Sequence, residues 1–392
     1  MARSAITGAL LIDGTDGPPV PGTTVVWEAS TIIWVGPDGE ADLTDTTLVD
    51  AGGGAVLPGL IDAHVHLCGD GSLDGVDRLP SESVATIAAR STQNAKRLLD
   101  AGITSARDQG STAGVAVEVA KAQRAGWLIA SRILAAGRGV TPTKGHGWQI
   151  GVEADGVDAV RAAVAEEIAR GADVIKLFPT GGVLGDGAHG FDVVMSQQEV
   201  SAGVAEAHAH DRLVGAHIHG PEGIAIALAA GVDTIEHGTA LTEQQAEQMV
   251  ASGTALVPTL VALDAMKDAE LPADLRERVD ETLALAGDGI RGAISAGVRV
   301  LIGTDAGTPF NPAGAGLVTE MRLLADLGLG TAGAIRSATS LAADTLGLAD
   351  RGVVAVGRKA DLVLVAGDPL EDLDVLRSPR AVAQDGKIRV VV

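Results

Sequence analysis

The stretch Leu57-Pro58-Gly59-Leu60-Ile61-Asp62-Ala63-His64-Val65-His66 is a short apolar run that closes on two histidines one residue apart. In a β-strand, residues i and i+2 project from the same face. An extended Ile61–His66 therefore presents both imidazoles together, about 7 Å apart along the backbone. Two ring nitrogens at that spacing can each approach one zinc-like ion at roughly 2.0–2.1 Å. Other polar residues stand at the ends of apolar runs further along. Lys176 lies in Asp173–Phe178, His217 and His219 close Val214–His219, His237 closes Thr234–His237, and Asp305 follows Val300–Thr304. Singly, each is commonly a satisfied core or surface residue. Their joint placement at strand ends points to a metal site.

The elements that must position these residues have two textures. Residues 4–57 read as short strands (Ile6–Ile12, Thr23–Val26, Thr31–Val35) punctuated by Asp13-Gly14, Pro21-Gly22 and Asp38-Gly39. The last forty residues share that texture, in Asp361–Val365 and Lys387–Val392. One β-sandwich domain built from 1–57 and 351–392 is the expectation, because chain termini often lie close together. From Pro58 the rhythm changes to apolar strands alternating with Ala-rich helices. Gly102, Gly126, Gly171, Gly231 and Gly297 stand where helices should close. Eight strand–helix units over 58–350, about 290 residues, suit a (β/α)8 TIM barrel, whose chemistry sits at the C-terminal ends of its strands. A doubly wound open sheet would instead favour an early Gly-rich phosphate loop, and Gly52-Gly53-Gly54 lacks that strand–helix context.

Composition bounds the function. The chain has 392 residues, 46% of them hydrophobic, enough for a large core, with a mean hydropathy of +0.26. Twenty-nine basic against 51 acidic side chains give a formal charge of −22, which disfavours nucleic-acid and anionic-membrane partners. The single cysteine, Cys68, excludes an intrachain disulfide and suits a reducing compartment. No apolar run approaches a membrane span and no signal-peptide pattern opens the chain, so a cytoplasmic location is expected.

Val56–His66 resembles the opening signature of the amidohydrolase superfamily. Asp233-Thr-Ile-Glu-His-Gly238 and Gly303-Thr-Asp-Ala-Gly307 resemble its later strand ends, and Lys359-Ala-Asp-Leu-Val363 its closing β segment. Gly145-His146-Gly147-Trp148 and Thr180-Gly-Gly-Val183 are similar to the imidazolonepropionase-related, prolidase-like branch. The resemblance implies a homo-oligomer that hydrolyses an amide-type C–N bond in a small molecule: a dipeptide, an N-acyl amino acid or a related amide or urea. It also implies two divalent metal ions, zinc by preference, bridged by a CO2-derived carbamate on Lys176 and by hydroxide. His64, His66 and Asp305 would hold the more buried ion, and His217 and His237 the second. The physics is consistent with that. A protonated lysine has no lone pair, but burial in an apolar strand lowers its pKa, and a neutral amine can take up CO2 to become an anionic two-oxygen ligand. Asp305 would take the proton of the nucleophile and pass it to the leaving nitrogen.

Other residues are assigned less chemistry. His219 follows a ligand by two positions, and because the chain has no tyrosine it is a candidate donor to the scissile carbonyl. His146, on a Gly-rich loop, is a candidate for substrate contact or loop packing. His189 lies in the loop after Lys176. His208 and His210 close a helix and suit its C-terminal dipole. Cys68 reads as a small buried residue, and Arg107 as a structural ion pair with Asp108 or a carboxylate-binding arginine. A mononuclear deaminase or cyclic-amide hydrolase remains an alternative, followed by a lactone or organophosphate esterase. A non-catalytic scaffold would have lost ligands, and all six are present.

Overall fold

A computed structural model of the chain describes residues 3–184 and 190–390. It is a mixed α/β protein. Strands from both ends of the chain share one eight-stranded sheet. Its order runs Lys387–Val390, Ala381–Gln384, Leu362–Val365, Ala55–Pro58, Arg3–Leu11, Val20–Glu28 and Thr31–Pro37, with Thr46–Asp50 also paired to Arg3–Leu11. The ends of the chain meet at Ala55–Pro58, which pairs antiparallel to Leu362–Val365 (Leu57 opposite Val363) and parallel to Leu10–Leu11. Val25, Trp27, Ile32, Val56 and Leu362 pack there into a cluster of their own.

Ala55–Pro58 continues past Gly59 into Leu60–Val65, the strand that carries His64. A side chain at Gly59 would place its Cβ 2.2 Å from Thr104 Oγ1, so only glycine lets the chain cross from sheet to sheet this closely.

The middle of the chain holds two parallel ladders. Leu60–Val65, Ile103–Asp108 and Arg132–Ala135 form one. The other orders Gly151–Glu153, Gly139–Thr141, Ile175–Leu177, Val214–His219, Thr234–Thr239 and Ala255–Val257. Helices Val84–Asp100, Val115–Arg124, Val157–Arg170, Gln197–His208, Pro221–Ala230, Glu243–Ser252, Ala273–Ala296 and Leu317–Leu324 lie between and after them. Ser196 with Glu199 and Thr242 with Gln245 form reciprocal capping boxes at two helix starts. The five glycines expected to close helices all take positive φ.

The strand expected over Val300–Thr304 differs from expectation. It touches its neighbours through single bridges, Leu256 with Val300 and Val65 with Ala306, and not through a continuous ladder. Just beyond it Asp305 is left-handed (φ 56), which ends the extended repeat there. The segment is nonetheless held, with Leu301 N–H donating to Leu256 O and Ala63 N–H to Ile302 O, each at 2.8 Å. The parallel strands are thus assigned to two ladders, not one closed ring. Among the described residues, no helix is long and apolar enough to cross a membrane.

Candidate metal centre

His64 and His66 leave their strand on one side, with their Nε2 atoms 3.4 Å apart. Asp305 meets them from the neighbouring segment, its Oδ1 3.2 Å from His66 Nε2 and 3.4 Å from His64 Nε2. Its left-handed backbone is pinned by its N–H donating to His64 O at 2.7 Å. That carboxylate oxygen is buried and makes no hydrogen bond. An acceptor turned toward two imidazole nitrogens with nothing donating to it suits a shared cation.

A second group lies on the adjoining ladder. His217 and His219 project together from Val214–His219, and His237 joins them from Thr234–Thr239, so that their ligand atoms converge within 4.8 Å. The rings of His219 and His237 stack at 4.9 Å, and those of His217 and His237 meet edge-on at 4.5 Å. One nitrogen of each ring is anchored: His217 Nε2 to Gly181 O (2.9 Å), His219 Nδ1 to Thr239 Oγ1 (2.9 Å) and His237 Nδ1 to Thr259 Oγ1 (2.6 Å). The other nitrogen is left for a ligand, an arrangement that fixes ring orientation at metal sites. His219, placed by sequence outside the ligand set, is as central to this group as the other two.

Lys176 is buried between its neighbours in Ile175–Leu177, and its Nζ has no hydrogen-bond partner. Its ammonium lies 5.1 Å from the Phe178 ring. Burial lowers its pKa to about 8, against the opposing pull of Glu236 and Asp305. Burial also lowers His64 to about 4 and His219 to about 3, and takes His217 and His237 well below the ordinary value. These rings are therefore neutral at pH 7, the form that ligates. Asp305 moves the other way: burial would raise it, but His64 and His66 hold it far below the usual carboxylate range.

The rings are held by a fully buried network. His64 Nδ1 lies 2.8 Å from Glu236 Oε2, and Arg107 donates to Glu236 Oε1 at 2.8 Å. Arg107 also donates to Ala63 O (2.6 Å) and Thr234 Oγ1 (2.9 Å), and Gln109 Nε2 to Glu236 Oε1 (3.1 Å). Arg107 is thus a structural residue, but its partner is Glu236, not Asp108. Asp108 instead accepts from the Leu67 and Gly110 N–H groups. Asp62 accepts from Thr304 Oγ1 at 2.7 Å, tying the His64 strand to the Asp305 segment.

The sequence did not point to Glu236, because in a regular strand it would face away from His237. At φ 70, His237 breaks that alternation, so that its ring stands 5.5 Å from the ring of His64 while Glu236 still bonds the same histidine. His146 reaches the site from its loop, its ring 4.3 Å from that of His217. His208 and His210 pair with Asp233 and Glu206 at the surface, away from it. His189 lies outside the described residues. Cys68 is a free buried thiol, raised to about 12 by burial, and belongs to neither group. Both groups, Lys176 and His146 line one cavity of about 1060 Å³.

Comparison with known proteins agrees with this geometry. A profile of the Amidohydrolase family matches residues 55–392. Ochratoxinase from Aspergillus niger is 30% identical over 417 residues, spanning 96% of this chain and 84% of the relative. Imidazolonepropionase from Deinococcus radiodurans is 30% identical over 384 residues, spanning 90% of this chain and 88% of the relative. A crystal structure of a prolidase complexed with N-methylphosphonate-L-proline is 30% identical with a TM-score of 0.91, covering 99% of this chain and 100% of that one. With the profile spanning most of its length and its histidines gathered at the ends of parallel strands, the chain belongs to the amidohydrolase family.

Proposed function

We propose that this protein hydrolyses an amide-type C–N bond in a small molecule with two divalent metal ions. The observation that carries the reading is the pairing of two three-residue donor groups with a buried, unpartnered lysine on one cavity. His64, His66 and Asp305 would hold one ion and His217 and His237 the other, with Lys176, carboxylated by CO2, spanning them. Imidazole-rich donors suit zinc. When bound, the ions supply Lewis acidity to the scissile carbonyl and lower the pKa of the attacking water. The chain's own residues do the rest. Asp305, held ionised, accepts a proton from the attacking water and returns it to the leaving nitrogen. His219 and His146 face the cavity, where they would orient the substrate carbonyl. The 30%-identical prolidase and ochratoxinase relatives favour C–N hydrolysis over ester or lactone cleavage.

The same reading takes the two parallel ladders as one (β/α)8 barrel over 58–350, with 1–57 and 351–392 as a single β-sandwich domain. The barrel is supported by two hydrogen bonds that reach the three-stranded ladder: Asp173 N–H, just ahead of Ile175–Leu177, donates to Ala135 O, and Asp305 N–H, in the segment bridged to Ala255–Val257, donates to His64 O.

The test is metal content per chain, together with hydrolysis of Xaa-Pro dipeptides and N-acyl amino acids by the wild type and Lys176→Ala. Two ions per wild-type chain are expected, with metal content reduced and hydrolysis abolished in the variant. Bicarbonate added during metal reconstitution should speed recovery of the wild type. Full activity in Lys176→Ala would end the two-metal proposal.

A further inference from the structure

The cavity walls bear on which amide is cleaved. The chain has four tryptophans, three phenylalanines and no tyrosine. Trp27 and Trp34 belong to the terminal sheet, and Trp127 sits on an exposed turn. Of the other four, Phe178, Trp148 and Phe191 stand at the site. Phe178 packs on Lys176 and His217 beneath it, and Trp148 lines the cavity. Phe191 stands edge-on to His219 at 6.5 Å, and Phe310 follows cavity-lining Pro309 with its N–H bonded to Gly71 O. Trp148, Phe191 and Phe310 are each more than 40% exposed, an expensive way to use the bulkiest side chains unless something covers them.

The loop under Trp148 is built to present it. Gly147 is left-handed (φ +75), and a Cβ there would fall 2.7 Å from the Phe178 ring, so the chain lies flat on that ring before Trp148 turns outward. Gln149 bonds Asp77 at 3.0 Å, fastening this loop to the turn that supplies Val76. A further wall comes from Val183, Leu263, Met266 and Leu275, which belong to a small apolar cluster separate from the main core. At about 1060 Å³ the space slightly exceeds the ~300–1,000 Å³ that encloses drug-sized ligands.

We infer that the substrate is an amide bearing a flat aryl group, which seats against Trp148 and the Leu263–Met266–Leu275 wall. This rests on the amide-hydrolase reading above. The amide lies on the histidine floor, and the aryl face replaces water over the exposed indole.

The experiment compares N-(2-naphthoyl)-L-alanine with N-acetyl-L-alanine, which share a leaving group, on zinc-reconstituted wild type and Trp148→Ala. Trp127→Ala serves as a control remote from the cavity. The expected result is a kcat/KM at least about tenfold higher for the naphthoyl amide, expressed chiefly in KM, and a ratio that falls about tenfold in Trp148→Ala but not in Trp127→Ala. Equal values for the two amides in the wild type, or equal losses on both in Trp148→Ala, would overturn the inference. Equilibrium dialysis with 2-naphthamide separates this from the hydrolase reading. If neither amide is cleaved, the hydrolase reading fails, and binding of 2-naphthamide that weakens in Trp148→Ala still supports the aryl site. Absence of binding to the wild type overturns it.

Discussion

Asp305 combines two properties that an ordinary buried carboxylate lacks. Its Oδ1 faces the Nε2 atoms of His64 and His66 at 3.4 and 3.2 Å, and those imidazoles hold its carboxyl far below the usual range despite burial. A carboxylate in that state can serve as a ligand and as a base, and the two roles separate on substitution. Asp305→Asn keeps the shape and one oxygen but removes the proton acceptor. The variant is expected to retain much of its metal while turnover falls by roughly 10²–10⁴-fold, the usual contribution of general acid–base catalysis. Metal content and turnover measured on one preparation decide the matter. Activity lost strictly in proportion to metal would make Asp305 a ligand only, with proton transfer passing to His219.

At the level of elements, the period-two pattern was enough to place His64 with His66 and His217 with His219, because the first pair straddles the end of Leu60–Val65 and the second closes Val214–His219. The residues that orient them were not legible, and the cause is backbone handedness. His237, Thr259 and Asp305 all take positive φ, which no hydropathy pattern reveals. Each redirects a side chain, and Thr259 Oγ1 thereby reaches His237 Nδ1.

The helix that follows Thr259, Leu260–Asp264, is anchored by Glu320 of Leu317–Leu324, whose Oε2 accepts from Val261 N–H at 2.7 Å while Oε1 has no partner. Burial raises the Glu320 pKa to about 8, against two backbone N–H bonds that lower it. The folded protein thus binds this proton more tightly than the unfolded chain, whose value is near 4.5. The stability it confers is complete below pH 4.5 and drains away as pH rises to about 8. Glu320→Gln should flatten that part of the profile and make the variant the more stable of the two at pH 8–9, relative to pH 5. Urea unfolding at pH 5 and pH 8.5 measures this, and parallel profiles in the two proteins would show that Glu320 stays ionised in the fold.

Across the whole molecule, the donors come from different parts of the fold. His64 and His66 belong to the three-stranded ladder, Lys176, His217 and His237 to the six-stranded one, and Asp305 to the segment bridging both. Metal held by all of them would join the two ladders at the ends of their strands, where the backbone ladder is interrupted. Such a ligand binds the native state and not the unfolded chain, so it stabilises by mass action, about 2.7 kcal/mol at a hundredfold excess over Kd. For a chain of this size that corresponds to a Tm rise of roughly 3 °C. Calorimetry of the zinc-loaded protein, of the protein stripped with dipicolinate and of the protein reloaded with zinc should show Tm fall and recover. His217→Ala, which removes one donor, should recover less at the same free zinc. A Tm indifferent to chelation in the wild type would mean that the two ladders hold together through their backbone and core contacts alone, and that the donors do not grip metal in the folded state.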